Sequence, residues 1–345
     1  MLKFIFILLT FCFSFTYGYS TLYLKEKFQK AIPGDYIVTI QDTHYSLLIL
    51  SSLKKDILVL EEISIPEQQV DPKKMNWQNW LRDNAPGHTS WTLYEFDLDQ
   101  GRLIECFSYS KKGWIYLEQQ EQFFAKLFSL PFENVSEADQ KKIGPPPSAG
   151  ESDFRKLWTP PLILGGKKIP HPTFEVFNTR WPEDHSPLSH CFVEVYFDAE
   201  HKGFPFPYWI EIKSPHYAFK VRTVESGQGM VSHLAASVPH RPPEILGPIA
   251  KSQKVWSLPL RAPLYCQDVQ LFACDLSSNA KIAIPHHFER SGGSENVDLR
   301  VSVTDLQKLL NPKQRYRWAI FADKTSFVVR SEETFSVMNK DFPKE

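Results

Sequence analysis

Short stretches of this chain alternate apolar and polar side chains or run apolar, rich in isoleucine, leucine and valine, and end at glycine, proline, asparagine or aspartate. A period of two puts the apolar residues of a run on one face of an extended strand and scatters them around a helix, so the pattern demands β-sheet. Residues 36–41, 45–50 and 57–65 read as an antiparallel meander, turned at Asp42-Thr43 and at Lys54-Lys55-Asp56. Residues 90–98 and 102–109 flank Asp99-Gln100-Gly101, a hairpin turn with glycine where a positive φ is needed, and 113–117 adds a further strand. Strands resume at 173–178, 191–198, 208–214 and 218–225. The 26 prolines and 26 phenylalanines, against 15 glycines, suit strands joined by stiff turns.

Helical spacing is confined to a few places. Leu24, Phe28 and Ile32 recur across residues 21–31, after Ser20 or Thr21 as cap and before Pro33-Gly34. Asp71-Pro72 opens a second helix that sets Trp77, Trp80 and Leu81 on one face. Residues 118–130 carry the clearest stripe, Phe123, Phe124, Leu127 and Phe128, closed by Pro131. Ser136 and Asp139 match a capping box for a short helix ending at Gly144, and a long connection, interrupted by Leu162–Leu164 and Gly165-Gly166, runs on to residue 172. The fold class is therefore mainly β with some α. An α+β antiparallel-sheet domain takes residues 19–240, a proline-rich linker 241–254, and a smaller all-β sandwich 255–345.

Residues 1–18 read as a cleavable signal peptide: Lys3 supplies charge, 4–15 are apolar, and Thr16-Tyr17-Gly18 places small residues before a cut after Gly18. The apolar run is shorter than the roughly twenty residues a membrane-spanning helix needs, and no second long run follows. The chain is expected to be exported, periplasmic or secreted, and not integral to a membrane after cleavage. A net charge of -1 with both signs interspersed argues against nucleic acid as a partner. Cys266 and Cys274 lie near the ends of one extended run, ~26 Å apart, beyond the ~7 Å that a disulfide spans. Cys106 and Cys191 sit on alternating strands and could bridge across a sheet, but a small buried apolar residue is the stronger reading for each of the four cysteines of the mature chain.

Residues 255–260, 269–276, 280–284, 299–303, 316–321 and 326–330 are short strands at the spacing of a sandwich. Thr304 and Gln307 cap a helical turn that leads through Leu310 and Pro312 to Tyr316 and Trp318. This run resembles the tyrosine corner of fibronectin type III and immunoglobulin-like domains. Trp318 stands where an immunoglobulin domain has its second cysteine, so the resemblance implies a fibronectin type III-like variant without an inter-sheet disulfide, serving as an interaction module. The first domain, with its leading helix, meander, interposed helices and returning strands, resembles the half-barrel of bacterial lipoprotein carriers. That likeness implies a lipid or other apolar ligand.

No catalytic constellation stands out. Glu225-Ser226-Gly227-Gln228-Gly229 lacks the spacing of a nucleophile elbow, and adjacent Glu61-Glu62 point to opposite faces of a strand. His185, His190 and Cys191, and again His286-His287, lack the second ligand pair of a zinc site, so no metal or cofactor is expected. Trp181, Phe204, Phe206, Tyr208 and Trp209 cluster near prolines and are the candidate ligand-binding residues, with core packing as the plain alternative. The leading functional reading is a non-enzymatic envelope protein that binds a lipid or apolar ligand and engages another envelope protein. A structural or adhesive secreted protein and an unrecognised hydrolase are the alternatives.

Overall fold

The computed structural model describes residues 21–71, 74–115, 117, 122–215, 218–234, 238–292, 294–322 and 328–337. The expected leader lies outside these residues. The chain is mainly β. In order, the first part holds β1 (Leu22–Tyr23), α1 (Leu24–Phe28), β2 (Tyr36–Gln41), β3 (His44–Lys54), β4 (Ile57–Pro66), α2 (Trp77–Arg82), β5 (Ser90–Asp97), β6 (Arg102–Ser108) and β7 (Gly113–Trp114). There follow α3 (Phe123–Ser129), β8 (Pro131–Asn134), the hairpin β9 (Leu162–Leu164) and β10 (Lys167–Ile169), β11 (Phe174–Arg180), β12 (Phe192–Asp198), β13 (Trp209–Lys213) and β14 (Ala218–Gly227).

Twelve of these strands form one antiparallel sheet in the order β1-β8-β11-β12-β13-β14-β2-β3-β4-β5-β6-β7. Pairing of β14 with β2, from Arg222 opposite Ile40 to Gly227 opposite Tyr36, joins the late strands to the early meander. The alternation seen in the sequence sorts side chains between two faces. Ile37, Leu48, Leu60, Phe96, Val195 and Ile210 pack with α1 and α3 in the main core, which draws on strands from both ends of the sheet. The sheet thus curls its inner face around those two helices. On the outer face Val38, Leu47, Ile63 and Trp91 pack with α2, and Val176, Tyr196 and Trp209 pack with Trp158. Gly34, at φ +96, lies so close to the backbone of Gly229 that an added Cβ would approach it to 3.2 Å, which ties the loop after β14 to the entry of β2.

Residues 244–335 form two smaller sheets. Strands β15 (Glu244–Ile245) and β16 (Ala250–Lys251) both pair with β17 (Val255–Arg261), which continues to β21 (Asn296–Ser302) and β20 (His287–Arg290). The second sheet runs β19 (Lys281–Ala283), β18 (Gln270–Asp275), β22 (Tyr316–Phe321), β23 (Val328–Phe335). Trp256, Leu258 and Leu299 of the first meet Leu271, Trp318 and Ile320 of the second in one core that shares no residue with the larger sheet, a sandwich-like arrangement. After α4 (Val303–Leu309), the buried Tyr316 hydroxyl accepts the Asn311 N–H at 2.8 Å and donates to Gln314 Oε1 at 3.1 Å. Leu310 is buried in the same core.

Several expectations change. Residues 241–254 are not a free linker, because β15 and β16 are hydrogen-bonded onto β17. The first helix starts at Leu24, since Leu22 and Tyr23 pair with Phe132 and Pro131 instead. The second, expected from Asp71-Pro72, is seen over Trp77–Arg82, where the Asn76 side chain accepts the Asn79 N–H at 2.9 Å; Pro72 lies outside the described residues. Ser136 and Asp139 make a turn and no helix: the serine hydroxyl donates to the aspartate carboxylate at 2.6 Å, and the Asp139 and Gln140 N–H groups bond to the Ser136 carbonyl without the turn continuing. No disulfide joins Cys106 to Cys191. Six strands stand between β6 and β12 in the sheet, so the two cysteines never face each other across a ladder.

Candidate ligand cavity

A cavity of about 480 Å³ opens between the inner face of the large sheet and the two helices. Its floor is built by alternation alone: Ile37, Thr39 and Gln41 from β2, Ser46 and Leu48 from β3, and Leu60 and Glu62 from β4 all point inward because they are two residues apart. Ile210 of β13 and Val221 of β14 extend the floor, and they sit opposite each other in the ladder. Leu24 and Phe28 of α1 and the four aromatic or leucine positions of the α3 stripe form the roof. Pro187 and Leu188, in the loop before β12, complete one wall.

That loop is held by a single carboxylate. Asp184 accepts hydrogen bonds from Lys126 of α3, from Trp181 Nε1 at 3.0 Å, from the Ser186 hydroxyl at 2.6 Å and from the Ser189 hydroxyl at 2.8 Å. Burial alone would raise its pKa, but the donors, Lys126 first among them, outweigh burial and hold the carboxyl well below the usual carboxylate range. The roof helix and the wall loop are therefore fastened to each other at Asp184.

The polar groups of the lining are Thr39, Gln41, Ser46 and Glu62, all on β2 to β4. Gln41 is exposed, which places this polar end toward the β2–β3 turn. Glu62 Oε2 accepts the Tyr94 hydroxyl at 2.9 Å. Burial pushes its pKa up, and the hydrogen bonds from Tyr94 and Ser46 only partly offset this, so the neutral acid is favoured relative to an exposed glutamate. The neighbouring Glu61 faces away and is fully buried on the outer side, where Trp91 Nε1, Ser51 and Ser232 donate to it at 2.5, 2.9 and 2.7 Å.

Of the five aromatic residues expected to bind ligand, Phe206 alone lines this cavity. Trp181 is buried behind it, stacked on Phe123 with ring centroids 5.5 Å apart. Phe204 and Tyr208 border a separate groove beside Lys30 and His201, and the Tyr208 hydroxyl accepts from Ser226 at 3.2 Å. Trp209 points to the opposite face, against Trp158 and Tyr196, because it follows Tyr208 directly along the chain. Sequence reasoning weighed Glu62 only as half of a pair with Glu61 and set both aside; that the two point to opposite faces, one of them inward, was the available signal.

Among the described residues no group of three or more His, Cys, Asp or Glu converges to hold a metal. His190 comes no nearer than 3.9 Å to Glu183, and His286 contacts Ile284 O and Asp268. His287 begins β20. No helix among the described residues is long and apolar enough to cross a membrane.

The model of a family described as CT021 protein matches residues 46–170 of the 345. The matched stretch begins in β3 and ends just past the β9–β10 hairpin, so it includes α3 and part of the cavity floor. A solved structure described as the hypothetical protein CT021 from Chlamydia trachomatis is similar at 20% identity, covering 64% of this chain and 99% of that one with a TM-score of 0.45. No curated protein matches.

Proposed function

We propose that this is an exported, non-enzymatic protein whose first part holds a lipid or other apolar ligand and whose second part is a fibronectin type III-like module that engages another envelope protein. The observation that carries the ligand reading is the cavity. A sheet's inner face and its covering helices normally interlock without voids larger than a water molecule, whereas here about 480 Å³ remain between them, within the roughly 300–1,000 Å³ of small-molecule sites. The lining is mostly aliphatic and aromatic, with a few polar groups gathered at one end. The strand order supports the module reading: β15/β16-β17-β21-β20 against β19-β18-β22-β23 corresponds to the A-B-E-D and C′-C-F-G sheets of immunoglobulin-like domains.

Filling the void tests the ligand reading. Leu48→Trp and Ile210→Phe each put bulk into the cavity from opposite sides of its floor, and each is expected to weaken displacement of a neutral naphthylamine probe by fatty-chain competitors by about tenfold or more. Native mass spectrometry of the protein from its own envelope fraction should find a copurifying lipid. Unchanged competition in both variants, with no lipid in the native protein, would sink the reading.

A further inference from the structure

We propose that the cavity selects a single-chain amphiphile with an uncharged, hydroxyl-bearing head, such as a monoacylglycerol or a long-chain alcohol, over the anionic lipid of matched chain. This rests on the apolar-ligand reading and adds the chemical class. The polar end of the lining offers two hydroxyls, a carboxamide and one carboxyl, from Thr39, Ser46, Gln41 and Glu62, and among the described residues no lysine, arginine or histidine lines the cavity. A buried carboxylate or phosphate head needs charge-assisted donors, and without them it carries an uncompensated desolvation cost. Here it would also meet the Glu62 carboxyl at close quarters.

A hydroxyl head meets the opposite situation. It donates to and accepts from Thr39, Ser46 and Gln41, whose groups offer both roles, and it pairs with the Glu62 carboxyl, whose protonated form burial favours relative to an exposed glutamate. Glu62 is held in place by Tyr94, whose hydroxyl occupies one carboxyl oxygen from β5. The same feature disfavours an amine head, which would require Glu62 ionised in a low-dielectric site. At about 480 Å³ the space lies in the lower part of the usual range and fits one acyl chain better than the two or three of a membrane phospholipid.

The test uses the full chain, delipidated, at pH 7.5, with N-phenyl-1-naphthylamine as the reporter and all competitors below their micelle concentrations. Monomyristoylglycerol, myristate, tetradecyl phosphate and tetradecylamine share one chain length and differ only in the head. The neutral glyceride should displace the probe at a concentration about tenfold or more below the two anions and the amine, the size of effect an unmatched buried charge produces. Glu62→Gln keeps the shape and the neutral amide, and should retain the glyceride preference within about threefold. Glu62→Lys should bring myristate up to or past the glyceride, and if that variant does not fold, the Gln variant and the wild-type ranking decide. Myristate or phosphate binding as well as the glyceride would overturn the proposal, and so would tetradecylamine binding best. Failure of the probe and of every competitor to bind would instead overturn the apolar-ligand reading beneath it.

Discussion

Single residues show how burial sets chemistry in this protein. Cys106, Cys191 and Cys266 are buried and Cys274 is partly exposed. Burial, with Glu105 and Glu62 adding to it, pushes the Cys106 thiol up to about 12, and burial likewise raises that of Cys266. Since the thiolate is the reactive form, the native protein should react with a thiol reagent at Cys274 first, and Cys106, Cys191 and Cys266 should follow only in denaturant. Mass mapping of the labelled cysteines checks this, and fast native labelling of Cys106 would contradict it. The sequence alone admitted either a Cys106–Cys191 bridge or buried apolar cysteines, because alternation reveals which face a residue takes but not which strands become neighbours. The same limit explains Trp209, whose outward direction followed from its place beside Tyr208, and Glu62, whose inward direction acquired meaning only once the helices were seen to leave space above it.

At the scale of elements, strands were legible and helix starts were not. Tyr36–Gln41 and Tyr316–Phe321 appear with the ends read from the sequence, since each is a short, largely buried run bounded by turn residues. The α1 start moved because a partner strand claimed Leu22-Tyr23, and α2 opens at Trp77 because the Asn76 side chain caps it. β20 was missed altogether: no strand was expected between 280–284 and 299–303, but the edge of β21 pulls His287–Arg290 into a ladder. The joint between α3 and the loop before β12 makes its own prediction. Asp184→Asn weakens the contact with Lys126 and converts a multiply bonded carboxylate into an amide, which should cost about 1–2 kcal/mol at pH 7 by urea denaturation. Because the folded pKa of Asp184 is depressed, its contribution is complete above the ordinary carboxylate pKa of about 4 and is lost as pH falls through the folded value. The gap between variant and parent should therefore narrow below about pH 4, and a gap independent of pH would show that the loop is held by other contacts.

At the scale of the whole molecule, one arginine connects the two parts. Arg241 Nε and backbone N–H donate to Glu105 of the large sheet at 3.2 and 3.0 Å, while its two terminal nitrogens donate to Glu295 beside β21 at 3.0 and 2.5 Å. Tyr265 Oη donates to the Arg241 carbonyl at 2.6 Å and ties the same point to the sandwich. Arg241→Ala leaves the buried Glu105 carboxyl without its cation, so it should cost about 3–5 kcal/mol and split thermal unfolding into two transitions. A single calorimetric peak at the parental temperature would show that the joint does not depend on this ion pair. The order of strands in the large sheet has a consequence for synthesis as well. β2 is buried on both faces as far as Ile40 and sits mid-sheet, yet its neighbour β14 ends at Gly227. While the nascent chain emerges, the early hairpins wait with a bare, sticky border that nothing within their own stretch can cover, and closing it means bridging a long intervening loop. The growing polypeptide is thus a natural client for a holding chaperone until the ribosome has passed the codon for that glycine.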